Sequence, residues 1–152
     1  MTISNSSPLI SLSKLGRLEL LKTLFTTVHI PYEVYRETAE EEKAPAAQRR
    51  AIQNAVSAGF IKIATVSVRR VFTRSALMIG EQDVLNLALE QKATRLILDD
   101  SAARREARDL GMAAILVYTS DILKLASERG WLDYHEALQE LKRQGELLPE
   151  NG

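Results

Sequence analysis

Short apolar runs alternate with stretches of helical periodicity, and this alternation constrains the fold more than any other feature of the sequence. The runs that favour strands occupy residues 3–5, 28–30, 60–66, 95–98 and 113–118. Strands separated by helices are typical of a parallel sheet that carries helices on both faces. Because 152 residues are too few for an eight-stranded α/β barrel, the sequence predicts an α/β fold with an open, doubly wound parallel sheet of about five strands in three layers, α/β/α.

Helix signals fill the segments between these runs. The predicted helices cover about residues 8–15, 18–25, 31–42, 44–58, 81–92, 101–110, 120–129 and 134–143. Ser7 and Pro8 suit the start of the first helix, and Gly16 suits its end. Residues 67–79 show neither the periodicity of a helix nor the alternation of a strand. Since no repeat or linker divides the chain, we predict one domain over residues 1–145 and a frayed tail over 146–152.

The composition argues against several classes of function. The 20 basic and 20 acidic residues give a net charge of zero, so binding to nucleic acid would need a local basic patch. The absence of cysteine excludes disulfides and thiolate metal sites, and it fits a cytoplasmic protein. We find no signal-peptide pattern and no apolar run of the roughly 18 residues that a membrane span needs, so we expect no membrane partner.

Polar residues at the ends of the predicted strands locate a candidate site. In doubly wound sheets, ligands bind beyond the carboxyl ends of the strands. Asn5 ends the first predicted strand, and Asp99 and Asp100 end the fourth. Asp100 could simply cap the helix that follows, but this interpretation leaves Asp99 unexplained. Successive strand residues point to opposite faces, so the two aspartates need not share a pocket.

Three further acids are candidates for the same site. Glu81 and Asp83 lie at the start of a helix, where acids also interact favourably with the helix dipole. Residues two apart do not share a helix face, so at most one of the two serves a common site. We predict that it is Asp83, because Val84 and other apolar neighbours point inward. Glu37 belongs to a run of acids typical of a solvated helix face, but its helix starts at the rim of the sheet.

Four blocks of the sequence resemble a known family. They read ISNSSPLISLSKLG at 3–16, IPYEVYRE at 30–37, GEQDVLNLALE at 80–90 and LILDDSAARREARDLG at 96–111. Their order and spacing are similar to those of PIN-domain proteins, in particular the VapC-like toxin ribonucleases that open with an Asp/Asn-Thr/Ser-Ser-Pro-Leu-Ile segment. The resemblance covers roughly residues 1–130. It implies a PIN-like fold and an endoribonuclease that depends on Mg²⁺ or Mn²⁺ and acts as the toxin of a toxin–antitoxin pair.

The resemblance also implies roles for individual residues. The acids of the family pattern fall on four positions, which would be catalytic: Asn5, Glu37, Asp83 and Asp100. The last three of these would bind the metal. Three residues would support the site: Ser7, Asp99 and Glu81. Asn5 departs from the pattern, because a neutral amide replaces the first acid. An alternative function therefore stays open, in which a catalytically impaired PIN-like module binds RNA or protein.

The residue types fit a hard metal ion better than any other cofactor. Magnesium prefers oxygen ligands, and a bound ion of this kind lowers the pKa of water and stabilises charge on a reacting phosphate. His29 and His135 stand apart in a strand and a late helix, so we expect no zinc site. The sequence has no Gly-rich phosphate loop and no cysteine nucleophile. The acids are therefore the one constellation that points to chemistry.

RNA binding requires positive charge near these acids. Arg104, Arg105 and Arg108 follow Asp100 on one predicted helix, and we predict that they bind RNA. A solvated helix surface explains them equally well. A second basic cluster occurs in the segment that fits neither period: Arg69, Arg70 and Arg74.

The expected partners follow from the resemblance. They are RNA, a small antitoxin protein and a second copy of the chain in a homodimer. A response-regulator receiver, which shares the sheet type, would need an acidic pair after the first strand and an aspartate after the third. Residues 5–7 read Asn-Ser-Ser, and the run at 60–66 ends in no acid, so the receiver alternative is poor.

Overall fold

A computed structural model describes residues 1–70, 72 and 76–150, and it contains the predicted parallel sheet. The strands are β1 (Thr2–Ser4), β2 (Val28–Pro31), β3 (Ile61–Ala64), β4 (Arg95–Ile97) and β5 (Leu116–Val117). They lie in the order β3-β2-β1-β4-β5, and every neighbouring pair is parallel. The prediction of an open, five-stranded, doubly wound sheet is confirmed.

Eight α-helices flank the sheet in the described part of the chain. They are α1 (Ser6–Lys14), α2 (Leu20–Phe25), α3 (Tyr32–Tyr35), α4 (Ala46–Ala58), α5 (Ile79–Gln91), α6 (Ser101–Asp109), α7 (Thr119–Glu128) and α8 (Tyr134–Arg143). A π-helical segment, Arg36–Glu40, continues α3. Helix α5 packs on β1 and β2 and contacts α3 and α6, whereas α1 contacts α4 and α7. This arrangement is the predicted three-layer fold.

The hydrophobic core lies on both sides of the central strands. Ile3, Ile30 and Leu96 are completely buried, as expected for parallel strands covered on both faces. Helix α5 is also buried over most of its surface, with a continuous buried stretch from 83 to 88. That burial includes polar residues, so the inner face of α5 cannot be defined by apolar side chains alone.

The chain order creates a switch point between β1 and β4. The chain winds from β1 outward through β2 to β3, then crosses back to β4 and continues outward to β5. Ser4 pairs with Ile97, and the backbone N–H of Asn5 donates to the Ile97 carbonyl oxygen at 3.1 Å. The carboxyl ends of β1 and β4 therefore lie side by side, which is where doubly wound sheets bind ligands.

Some element boundaries differ from the prediction. Residues 113–118 do not form one strand, because Ala113–Ile115 is a 3-10 turn and β5 contains two residues. Strand β1 ends at Ser4, and Asn5 is the N-cap of α1. Helix α5 begins at Ile79, two residues before the predicted start. Arg74 of the second basic cluster lies outside the described residues.

Residues 146–150 contact the body of the domain. Glu146 forms an ion pair with Lys14 at 2.7 Å, and Ser120 Oγ donates to the Pro149 carbonyl oxygen at 2.9 Å. The Tyr134 hydroxyl donates to Glu150 at 2.8 Å. Among the residues described, no helix combines the length and apolar character that a membrane crossing requires.

Candidate active site

A pocket of about 250 Å³ opens at the switch point of the sheet. Seven residues from four parts of the chain line it: Asn5, Ser6, Ser7, Glu37, Met78, Glu81 and Asp100. We call this cavity the acidic pocket, because three of the seven side chains are carboxylic acids. Of the four residues that we predicted to be catalytic, it brings together Asn5, Glu37 and Asp100.

Asn5 lies at the centre of the rim, between β1 and α1. It is 4% exposed, and as the N-cap residue it has extended backbone geometry. Asparagine is a favoured N-cap because its side-chain oxygen can accept from the first turn of the helix. No such bond forms here. The amide therefore lines the pocket without accepting a hydrogen bond from the first turn of α1.

Glu37 reaches the pocket from the π-helical segment. Such segments are rare and often occur at functional sites. Ser6 Oγ donates to Glu37 Oε2 at 3.0 Å. Burial raises the pKa of Glu37, and the Ser6 hydrogen bond partly opposes that shift.

Glu81 and Asp100 form the other wall of the pocket. Glu81 Oε1 accepts a hydrogen bond from the Met78 backbone N–H at 2.9 Å, which directs this first-turn side chain back toward the start of α5. Burial raises the pKa of Glu81 to about 7, and a hydrogen bond to the Asp100 side chain together with the charges of Asp100 and Glu37 adds to the shift. Asp100 Oδ2 accepts from the Ala103 backbone N–H at 2.8 Å, so Asp100 caps α6 and lines the pocket as well.

Asp99 faces away from the acidic pocket and holds the start of α7. The Thr119 backbone N–H donates to Asp99 Oδ1 at 2.9 Å, and Thr119 Oγ1 donates to Asp99 Oδ2 at 2.7 Å. Burial raises the pKa of Asp99, and the two bonds from Thr119 oppose the shift. Asp99 therefore links the end of β4 to the helix after β5.

Asp83 lies outside the acidic pocket. It is 3% exposed, and Arg69 Nη2 donates to its Oδ2 at 3.2 Å. Burial raises the pKa of Asp83, and the charge of Arg69 opposes that shift. We expected Asp83 rather than Glu81 to face the common site, but Glu81 is the acid beside Asp100. The reason is that α5 is buried nearly all round, so the inward direction of Val84 did not identify the pocket side of the helix.

A family model for the DUF3368 PIN domain matches residues 1–151 of this sequence. The chain belongs to the PIN-domain family. PIN domains are generally nucleases, and they usually use divalent metal ions. Comparisons with curated proteins and with solved structures gave no significant match.

The donor set of this PIN domain fits a hard divalent cation. Glu37, Glu81 and Asp100 supply carboxylate oxygens and Asn5 supplies an amide oxygen, and oxygen donors are what Mg²⁺ and Mn²⁺ prefer. Burial is the main cause of the raised pKa values of Glu37 and Glu81, and the charges of neighbouring acids add to both shifts. Within residues 1–70, 72 and 76–150, no group of three or more acids or histidines is arranged so that it could hold a metal ion as it stands. The carboxylates would therefore adjust as a cation entered.

The arginines of α6 have different environments in the PIN domain. Arg104, predicted to bind RNA, is 4% exposed, so it is not part of the surface. Its Nη1 donates to the Leu98 carbonyl oxygen at 2.6 Å, and its guanidinium lies 3.4 Å from the centre of the Tyr118 ring. A first-turn side chain points back toward the helix N-terminus, which carries Arg104 onto the end of β4. Arg105 and Arg108 are exposed.

Two further cavities differ in their chemistry. One of about 450 Å³ shares Glu37 and Met78 with the acidic pocket, and its other charged lining residues are two acids and two bases: Glu33, Glu41, Arg36 and Lys43. We call it the second cavity. A larger cavity of about 640 Å³ has Asp121 as the one acid among its lining residues, so it offers no comparable set of oxygen ligands.

The two histidines lie away from the acidic pocket. His29 is in β2, and burial lowers its pKa. The His135 ring lies 5.8 Å from the Tyr134 ring in α8. Neither residue lines the acidic pocket.

Proposed function

We propose that this PIN domain is an endoribonuclease that depends on Mg²⁺ or Mn²⁺. One observation carries the proposal: Asn5, Glu37, Glu81 and Asp100, from four separate parts of the chain, line one pocket at the switch point of the sheet. The match to the PIN-domain family supports the nuclease class. RNA as the substrate rests on the resemblance to the VapC-like toxin ribonucleases.

Glu37, Glu81 and Asp100 would hold the metal ion, with Asn5 contributing its amide oxygen. Glu81 takes the place among the metal ligands that the resemblance assigned to Asp83, since Glu81 lines the pocket and Asp83 does not. The bound ion would lower the pKa of a water molecule and stabilise negative charge on the phosphate that is attacked.

Residues of the chain fix the positions of the carboxylates, and Glu81 can hold a proton in the metal-free pocket. Asp100 keeps one oxygen on the α6 backbone, which fixes the carboxylate at the rim of the pocket. Ser6 fixes Glu37 in the same way from the start of α1. When no cation is present, the pKa of about 7 lets Glu81 hold a proton for part of the time at neutral pH, and that proton reduces repulsion with Asp100.

Exposed arginines of α6 support contact between the RNA strand and the surface next to the acidic pocket. The second cavity is not basic, because Glu33, Glu37 and Glu41 line it together with two cations. Both cations, Arg36 and Lys43, form ion pairs with acids of the same cavity. Arg105 and Arg108 follow Asp100 on α6, and both are exposed and offer positive charge. Phosphate groups next to the scissile bond could contact Arg105 and Arg108.

The biological role that we propose is that of a toxin controlled by a small antitoxin protein, with the chain acting as a cytoplasmic homodimer. The support is the opening block ISNSSPLISLSKLG, which resembles the VapC-like toxin ribonucleases. Expression of the protein in a bacterial host should arrest growth, and Asp100→Asn should not. If the expressed protein is well folded and cleaves RNA but does not affect growth, the toxin role is contradicted.

A second candidate function is an impaired PIN domain that binds RNA or protein without cutting. The observation that favours it is the neutral Asn5 amide in the acidic pocket. Cleavage of a labelled single-stranded and a labelled hairpin RNA, with EDTA, Mg²⁺ or Mn²⁺, separates the two functions. We expect metal-dependent cleavage that Asp100→Asn abolishes. RNA binding without cleavage in any metal would favour the second function.

A further inference from the structure

Gly80 occupies a position at which a side chain would collide with a neighbouring residue. It is buried in the first turn of α5. A Cβ atom at this position would lie 2.8 Å from Glu37 Oε1, and 3.4 Å from both Cδ and Oε2 of the same residue. All three contacts are with the carboxyl group of Glu37. That carboxyl group therefore occupies the space in which the side chain of residue 80 would begin.

The backbone gives no other reason for glycine at this position. Gly80 is helical and is not among the residues with a positive φ angle. Alanine would favour the helix more than glycine does, because glycine loses more conformational freedom when the helix forms. Space for Glu37 is the physical advantage that glycine offers here.

The Glu37 carboxylate is held between two distant segments. Ser6 Oγ donates to Oε2 at 3.0 Å from the start of α1, and Oε1 lies against Gly80 at the start of α5. We infer that Gly80 is a positioning residue, whose missing side chain lets Glu37 lie in the acidic pocket where it can hold the metal ion. This inference rests on the proposed metal-dependent function and deepens it.

A methyl group at position 80 should move Glu37 rather than disturb the fold. The contacted atoms are the far end of a flexible side chain, which gives way more easily than helix backbone. Gly80→Ala should therefore fold and move the carboxylate away from Ser6. Loss of a residue that orients a metal ligand costs about tenfold to a hundredfold in metal affinity or activity.

Crystal structures of the metal-free protein and of Gly80→Ala test the contact without relying on activity. We expect α5 to keep its position, while Glu37 Oε1 leaves the site that the new methyl group fills and the Ser6 hydrogen bond is lost. A Glu37 carboxylate that stays in place, with the start of α5 displaced instead, would overturn the inference.

A double-mutant cycle with Glu37→Asp tests the consequence for the site. Aspartate is one methylene shorter, so a methyl group at position 80 should no longer meet its carboxylate. We expect Gly80→Ala to lower Mn²⁺ affinity and kcat by about tenfold or more in the natural background, with KM for RNA unchanged, and to change neither much in the Glu37→Asp background. Equal losses in both backgrounds would overturn the inference.

The two experiments separate this inference from the proposed function. If the natural protein neither binds Mn²⁺ nor cuts RNA, the proposed function fails and the two crystal structures alone decide whether Gly80 positions Glu37. If the natural protein cuts RNA and Gly80→Ala cuts it equally well, the function stands and the positioning role is wrong.

Discussion

The carboxylates of Asp99 and Asp100, adjacent in sequence, serve different parts of the structure. Asp99 accepts both hydrogen bonds that Thr119 offers, and Asp100 caps α6 and lines the acidic pocket. Two negative charges at the end of one buried strand are therefore divided between a structural contact and a candidate active site.

Asp99→Ala should lower stability and leave the chemistry intact. The substitution removes the acceptor of the Thr119 backbone N–H and hydroxyl, and an unsatisfied buried group costs about 1–3 kcal/mol in the free energy of unfolding. Chemical denaturation measures this loss, and RNA cleavage per folded molecule should stay close to that of the natural protein. Asp99→Asn is the matched control, because an amide can still bond to Thr119. Loss of cleavage in folded Asp99→Asn would show that Asp99 acts in the site.

The acids at the start of α5 should differ sharply in their effect on cleavage. Glu81→Gln should reduce kcat by about a hundredfold or more, because a ligand that helps hold the metal is lost. Asp83→Asn should retain most of the activity, since Asp83 pairs with Arg69 outside the acidic pocket. The two variants are matched, because each replaces an acid of α5 with its amide. If Asp83→Asn loses more cleavage activity than Glu81→Gln, Asp83 acts in the active site.

The stability of the metal-free protein should depend on pH through Glu81. Its pKa in the folded state, about 7, lies above its ordinary value of 4.5. As the pH rises between these values, the unfolded state releases this proton first, so the contribution of Glu81 to the free energy of unfolding falls, and it levels off above about pH 7. Thermal midpoints in EDTA should therefore diverge between the natural protein and Glu81→Gln as the pH rises through this window, with the variant becoming relatively more stable. Parallel curves would contradict this role of Glu81.

Asn5→Asp should have opposite effects with and without metal. A fourth carboxylate adds repulsion to a pocket in which the pKa values of Glu37 and Glu81 are already raised, so the metal-free variant should melt at a lower temperature. A unit charge about 4 Å from a divalent ion is worth several kcal/mol at an effective dielectric near 20, before desolvation is counted. We expect Mn²⁺ to bind about tenfold more tightly and cleavage to rise. Calorimetric titration measures the Mn²⁺ affinity. If Asn5→Asp leaves this affinity unchanged and the natural protein is already fully active, the Asn5 amide does not impair the site.

The arginines of α6 should separate into structural and binding residues. Arg104→Ala should destabilise the protein, because the Leu98 carbonyl oxygen loses its donor and Tyr118 loses its stacking partner. Arg105→Ala and Arg108→Ala should leave the thermal midpoint unchanged and weaken RNA binding. Each lost phosphate contact should reduce the slope of log affinity against log salt concentration by about 0.7 for a single strand. An unchanged slope in both variants would place the RNA elsewhere.

The fold followed from the sequence because the signals that define it are local. Alternating apolar runs and helices determine a parallel doubly wound sheet, and an aspartate before a helix predicts the cap that Asp100 forms. The pocket needed more than local information. Apolar periodicity could not show which face of α5 meets the rim, because that helix is buried nearly all round.

Side-chain direction explains the remaining differences. The α6 spacing puts Arg104 and Arg108 on one face, but the first-turn position turns Arg104 back onto β4 while Arg108 stays exposed. A single sequence also does not reveal that Glu37 lies in a π-helical segment or that Gly80 leaves space for it. The contact between Gly80 and Glu37 joins segments that are about 40 residues apart in the chain.

Anomalous scattering from crystals soaked in Mn²⁺ tests the metal centre most directly. We predict one strong anomalous peak inside the acidic pocket, within bonding distance of carboxylate oxygens from Glu37, Glu81 and Asp100, and its loss in Glu81→Gln. Asp83→Asn crystals serve as the control and should keep the peak. A peak beside Asp83, or an empty pocket at a concentration that supports RNA cleavage, would contradict the assignment of the acidic pocket as the metal centre.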